Sequence, residues 1–215
     1  MALTPLAPRL RGFRVVLAST SPRRKEILAL AGVEFEVIPS AFEEALPAGA
    51  TPRAEDHARD MATGKALEVA TRADEADARS PRLIIGADTV VEVDGLILGK
   101  PSDREDAERM LRRLSGRRHR VVTGIAVVIA GGVGSDPEVL CSFHEETRVT
   151  FSELSDAMVR AYVDTGEPAD KAGAYGIQAR GAMLVERVDG DALNAAGFPL
   201  NRFCREVARA LPDRK

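Results

Sequence analysis

Apolar residues along the chain follow two spacings, and each predicts a kind of element. Continuous apolar runs at residues 14–18 (RVVLA), 83–87 (LIIGA) and 120–130 (RVVTGIAVVIA) predict buried strands. Residues 139–151 predict a long strand that returns alongside the last of these, across the turn GGVGSDPE. FEVIP, residues 35–39, and AMLVERV, residues 182–188, predict shorter strands. Asp94-Gly95 joins two β-rich runs and is the dipeptide that a two-residue type I′ hairpin requires.

Between the strands the apolar positions recur at i, i+3 and i+4, the period of a helix with one buried face. Ser21 as N-cap and Pro22 at the first position open one such helix. Thr51-Pro52 opens a longer one, in which Ala58, Met61, Ala62, Lys65, Ala66 and Val69 share a face, so Lys65 stands among apolar neighbours. Ser102 and Glu105 predict a capping box ahead of a helix with Ala107, Met110, Leu111 and Leu114 inward and Gly116 at its end. A helix is expected at residues 155–165, and another starts at Pro199 with Leu200, Phe203, Cys204 and Val207 on one face. The polar stretch at residues 68–82 reads as a helix end and surface loop. Strands interrupted by helices and hairpins indicate an α/β fold with a mixed sheet.

At 215 residues the chain is long enough for one core, in one domain with a core at residues 13–211, and too short for two independent ones. Its formal charge of −3 argues against bulk attraction to nucleic acid or anionic membrane, so an anion site has to be a local concentration of cations. No apolar run approaches the roughly 20 residues of a membrane span, and MALTPLAPRLRGFR lacks the apolar core of a signal peptide, so a reducing, cytoplasmic location is expected. Cys141 and Cys204 lack paired or metal-ligand spacing and read as two buried thiols.

Asp88 follows the run LIIGA and is expected at the carboxyl end of a strand, where open α/β sheets place ligands; turn formation explains an Asp there equally well. Glu43 and Glu44 follow FEVIP closely enough for one of them to reach the same edge and hold Mg²⁺ or Mn²⁺ with Asp88, or else they form a solvated acidic loop. His57, His119 and His144 have no ligand spacing, and His119 reads as a hydrogen-bonding structural residue. Arg23, Arg24, Lys65, Lys100 and Lys171 come from separated segments, and cations distributed in this way suit a polyphosphate. The cations at the Ser21-capped helix oppose its dipole, a repulsion that a bound phosphate relieves; pairing with Glu26 and solvent is the alternative. The cluster Arg112, Arg113, Arg117, Arg118 and Arg120 lacks aromatic platforms and reads as a solvated helix end with at most one phosphate contact. GGVGSD lacks the Lys-Ser/Thr of a P-loop.

The ordered set LASTSPRRKEIL, GADTVV, LGKP, LSGRRHRVVTG and DKAGAYGIQ resembles the Maf family of nucleoside triphosphate pyrophosphatases, with matches from about Val15 to Phe203. SELS, GEPADKAGAYGIQ and GDALNAAGFPLNRFC look most like the eukaryotic branch, whose Maf-like domains occur beside a methyltransferase half in acetylserotonin O-methyltransferase-like proteins; only the Maf-like part is expected here. The resemblance implies a mixed α/β fold of the inosine triphosphate pyrophosphatase kind, two lobes around a cleft, and a homodimer. It implies hydrolysis at the α-phosphorus of dTTP or UTP to a monophosphate and pyrophosphate with a divalent metal. The alternatives are 7-methyl-GTP as substrate, or a non-catalytic nucleotide-binding regulator. Carried over by motif, Asp88 and Glu44 are catalytic and metal-holding carboxylates, and Lys100 is catalytic. Ser19, Arg24 and Lys65 belong to the phosphate pocket; Arg23, Thr89 and Gln178 to base preference; and Lys171 to the same loop as Gln178. Asp88 either takes the proton of the attacking water or holds the metal, and both roles require it ionised. Where the family often has NVVGLP, this chain has Asn194-Ala195-Ala196-Gly197-Phe198-Pro199.

Overall fold

The computed structural model describes residues 6–42, 52–72, 80–131 and 136–211. Their elements run α1 (Leu6–Leu10), β1 (Arg14–Leu17), α2 (Pro22–Ala29), β2 (Glu36–Val37), α3 (Ala54–Thr71), β3 (Arg82–Val93), β4 (Leu96–Leu98), α4 (Arg104–Leu114), β5 (Arg118–Ala130), β6 (Glu138–Phe151), α5 (Asp156–Val163), β7 (Val185–Asp189), α6 (Ala192–Ala195) and α7 (Leu200–Ala210). Short 3-10 turns at Glu167–Asp170, Ala172–Ala174 and Arg180–Leu184 join α5 to β7. The strands form a mixed sheet in the order β2-β1-β3-β5-β6-β7, with β4 added to β3. β1 is parallel to β2 and β3, while the β3-β5-β6-β7 pairings are antiparallel.

β3 is longer than its sequence suggests. LIIGA and the following β-rich run form one strand, because β5 pairs with it continuously from Arg82↔Ala130 to Glu92↔Arg120. Asp88 therefore lies inside a strand, opposite Gly124, and not beyond a strand end. The other edge of β3 is divided: β1 pairs with it through Ile85, and β4 pairs with it from Val91. Between them, residues 86–90 have no strand partner on that edge among the described residues. Such a change of neighbour is where α/β sheets bind ligands.

Alternation along the strand distributes β3 between two faces. Leu83, Ile85 and Ala87 join Leu28 of α2 and Phe203 and Val207 of α7 in one cluster. Ile84 and Val90 face α3, against Ala62, Ala66 and Val69 and against Ala54 and Ala58 respectively. The helix lies unusually close: a Cβ at Gly86 would stand 2.0 Å from the carbonyl oxygen of Ala62, and one at Gly124 2.1 Å from that of Ala58. On the α2 and α7 face a second cluster, around Leu111, Leu114, Val159 and Tyr162, covers Val91, Val121 and Phe151. A polar belt separates the two clusters: Thr89 Oγ1 lies 3.0 Å from Thr123 Oγ1, which donates to the carbonyl of Asn194. Buried Asn194 in turn donates to Val121 O and Thr147 Oγ1.

Local corrections have local causes. α3 starts at Ala54, with Arg53 at the N-cap and no side-chain cap, and Thr51 lies outside the described residues. α4 is capped one residue later than Ser102 and Glu105 predict: Asp103 accepts from the Asp106 N–H, and Asp106 Oδ2 accepts from the Ser102 N–H. Asp is as strong an N-cap as Ser. FEVIP contributes only the two exposed residues of β2, and AMLVERV is strand only from Val185 because 180–184 winds into a turn. Cys141 and Cys204 are free and half-buried, not fully buried; burial pushes the Cys141 thiol up to about 11, so it is a poor nucleophile. Four of the five clustered arginines are committed to ion pairs: Arg112 with Glu108 and Asp156, Arg117 with Asp94, Arg118 with Asp189, and Arg120 with Glu55, Glu92 and Glu146. Asp94 and Gly95 both have positive φ, as their hairpin demands.

His119 is the structural histidine expected. It is 2 % exposed, its Nε2 lies 2.7 Å from the Tyr175 hydroxyl, and its ring meets Phe151 edge-on at 5.0 Å. Burial lowers its pKa to about 4. The unfolded chain, near the ordinary value of about 6.5, then binds a proton that the fold refuses, so stability is full above that pH and falls as pH drops toward 4. Thermal unfolding of wild type should show this loss, and His119→Gln should flatten it; an equal slope in both would reject the assignment.

Candidate active site

A cavity of about 530 Å³ opens at the divided edge of β3, a size suited to a small-molecule ligand. Its lining comes from the β1–α2 connection, α3, β3, the end of β4, residues 170–177 and residues 195–197. Arg23, Arg24, Lys65, Lys100 and Lys171 line it against two carboxylates, Asp88 and Asp170, so this acidic chain concentrates positive charge in one place.

Neighbouring residues of β3 serve the cavity from opposite faces. Thr89 points to the α2 side, where Arg24 is held by three acceptors: Nε donates to Gly197 O at 3.0 Å, Nη1 to Ser19 Oγ at 3.1 Å and Nη2 to Thr89 Oγ1 at 3.0 Å. The last acceptor is continuous with the Thr123–Asn194 belt, so the buried polar core fixes the guanidinium. Ser21 caps α2 as expected by accepting from the Arg24 N–H, which leaves the first turn aimed at the same corner. Acceptors on Ser19, Thr89 and Gly197 thus offset the cation at this helix start. Asp88 points to the α3 side, where Lys65 Nζ donates to its Oδ1 at 2.7 Å; the two side chains are 8 % and 11 % exposed. A buried pair that lines a cavity is available to a ligand as well as to itself.

The third wall is a tied loop. Glu167 accepts from the Tyr162 hydroxyl and from the N–H groups of Arg180 and Gly181, and the Tyr162 oxygen also accepts from the Gly176 N–H. Burial opposes the charged form of Glu167, but these donors win and hold its carboxyl below the usual range. Lys171 donates to Glu167 O and Asp170 Oδ1, and Arg23 lies 3.6 Å from Asp170 Oδ2. Lys100 is exposed at the rim and forms no ion pair among the described residues.

Most predicted site residues converge on this cavity: Ser19, Arg23, Arg24, Lys65, Asp88, Thr89, Lys100 and Lys171 all line it. Gln178 does not. It is exposed, and the lining ends at Ile177 because the tethered Gly176, Arg180 and Gly181 turn the chain away. Glu44, together with Glu43, lies outside the described residues. Among the described residues no group of three or more acidic, His or Cys side chains could hold a metal, so Asp88 is the carboxylate beside Lys65 that could contribute to one. Sequence reasoning missed His57 and Tyr175 in the lining; the signal available for His57 was its place two i+4 steps before Lys65 on α3.

The family model for Maf-like proteins matches residues 14–210. The chain belongs to the Maf-like family. Among relatives of this Maf-like chain, a human protein named probable bifunctional dTTP/UTP pyrophosphatase/methyltransferase is 53 % identical over 210 residues. That match covers 97 % of this chain but 34 % of the human protein, so the chain spans about a third of that relative's length. A protein of Bacillus anthracis named dTTP/UTP pyrophosphatase is 43 % identical over 194 residues, which cover 90 % of this chain and 94 % of that protein. A Bacillus cereus (strain AH820) protein of the same name matches at the same identity and coverage. The Maf-like resemblance of LASTSPRRKEIL, GADTVV and DKAGAYGIQ is thus matched by the family model, and their residues meet at the divided edge of β3.

Proposed function

We propose that this chain hydrolyses dTTP and UTP to the monophosphate and pyrophosphate. The observation that carries the reading is the placement of Asp88 with Lys65 and of Arg24 with Ser19 on opposite faces of one strand edge, lining one cationic cavity. The names of the relatives supply the substrate class. Phosphoryl transfer asks a protein mainly to position its groups and to neutralise charge. Arg24, Ser19 and the first turn of α2 bind phosphate oxygens, and Lys65, Lys100 and Lys171 balance the charge of the triphosphate. Asp88, paired with Lys65, orients the attacking water and accepts its proton.

The donor set fits a magnesium or manganese ion, since such hard cations bind through one or two carboxylates plus substrate phosphates. Asp88 would hold it, with Glu44 as the second carboxylate. When bound, the metal supplies charge neutralisation and Lewis-acid polarisation of the phosphate oxygens. The motif resemblance assigns Arg23 and Thr89 to base preference. We also place the chain in the cytoplasm as a homodimer, a state that light scattering would reject by returning a monomer mass.

The test is pyrophosphate release from a panel of dTTP, UTP, CTP, ATP, GTP and 7-methyl-GTP with magnesium. The expected result is turnover of dTTP and UTP at least about tenfold above the others, about 1.4 kcal/mol of discrimination. Preference for 7-methyl-GTP would overturn the substrate, and binding of all six without pyrophosphate would overturn the enzyme.

A further inference from the structure

Among the described residues that line the cavity, His57 is a buried polar side chain to which the roles above assign nothing. It is 9 % exposed and, unlike His119, its ring makes no hydrogen bond or ion pair among the described residues. An imidazole carries an N–H donor in either protonation state, and on the cavity lining this donor is available to a ligand that enters.

The surroundings of His57 indicate which part of the ligand this is. Its neighbours Ala54 and Ala58 pack with Val90 and Ile97, and Ile97 leads through Gly99 to Lys100, both also in the lining. In the other direction along α3 comes Lys65, and side chains on a helix lean toward its N-terminus, here toward His57. His57 therefore shares the α3 and β4 side of the cavity lining with Lys65 and Lys100. We infer that the His57 imidazole donates a hydrogen bond to the phosphate chain of the substrate, on the portion that leaves as pyrophosphate. This rests on the triphosphate reading above.

The experiment measures binding of α,β-imido-UTP and of UMP, with magnesium, by calorimetry on wild type, H57F and H57Q. H57F keeps a ring without a donor and should lose about tenfold in affinity for the imido nucleotide with UMP unchanged, while H57Q, which keeps an N–H donor, should recover most of the loss. A second measurement needs no variant: inorganic tripolyphosphate added to wild type should shift the His57 ring resonances in NMR. Affinity of H57F for the imido nucleotide within twofold of wild type, an equal loss for UMP, or an unmoved His57 resonance on saturation would each overturn the inference. Because the imido nucleotide is not hydrolysed, a wild type that binds it through His57 yet releases no pyrophosphate from UTP would refute hydrolysis and leave the contact standing.

Discussion

Asp88→Asn should lower pyrophosphate release from UTP by about 10²- to 10⁴-fold, the range associated with losing a positioned proton acceptor. The substitution is isosteric, and its amide oxygen can still accept from Lys65 Nζ, now 2.7 Å from Asp88 Oδ1. The strand should therefore stay paired with β5 and the cavity should keep its shape. What disappears is the negative charge, which both proton acceptance and metal binding require. Nucleotide affinity should be retained in large part, since Arg24 and Ser19 on the other face are untouched. Steady-state kinetics and circular dichroism together check this. Turnover at the wild-type rate would remove Asp88 from the reaction.

Gly86→Ala should be severely damaging. The added methyl would lie 2.0 Å from the carbonyl oxygen of Ala62, a backbone atom that cannot swing aside. Either α3 lifts from the sheet or β3 bends, at a cost of about 3 kcal/mol, which for a chain of this size lowers the melting temperature by about 6–12 °C. Activity should fall further than stability accounts for, because Lys65, three residues beyond Ala62, is placed by that contact. Calorimetry and the pyrophosphate assay at a temperature where the variant is folded separate the two losses. Unchanged values in both would refute the tight seating of α3.

The residues that could be read from the sequence are those whose environment is set locally. Ser21, Asp94-Gly95 and the apolar face of α3 follow from capping, turn chemistry and periodicity, and the structure keeps them. The burial of Lys65 was legible for the same reason. The position of Asp88 was not, because whether LIIGADTVV is one strand or two depends on β5, about 35 residues later in sequence, pairing without a break. The hydrogen-bonding roles of Thr123 and Asn194 were not legible because each acts through another group, in a belt assembled from residues far apart in sequence. Gln178 lies outside the cavity lining because Glu167 and Tyr162 reach across the loop and redirect the backbone, which motif spacing does not show.

Asp88 and Thr89 are adjacent, and the pleat sends the acid toward Lys65 and the hydroxyl toward Arg24. Sliding β3 by a single position would bring Thr89 to Lys65 and Val90 to Arg24, or in the other direction Ala87 to Lys65 and Asp88 to Arg24, and neither alignment keeps the acid on the ammonium. Hydrolysis is therefore an assay of correct strand alignment: a misaligned molecule could retain its helices and yet be silent.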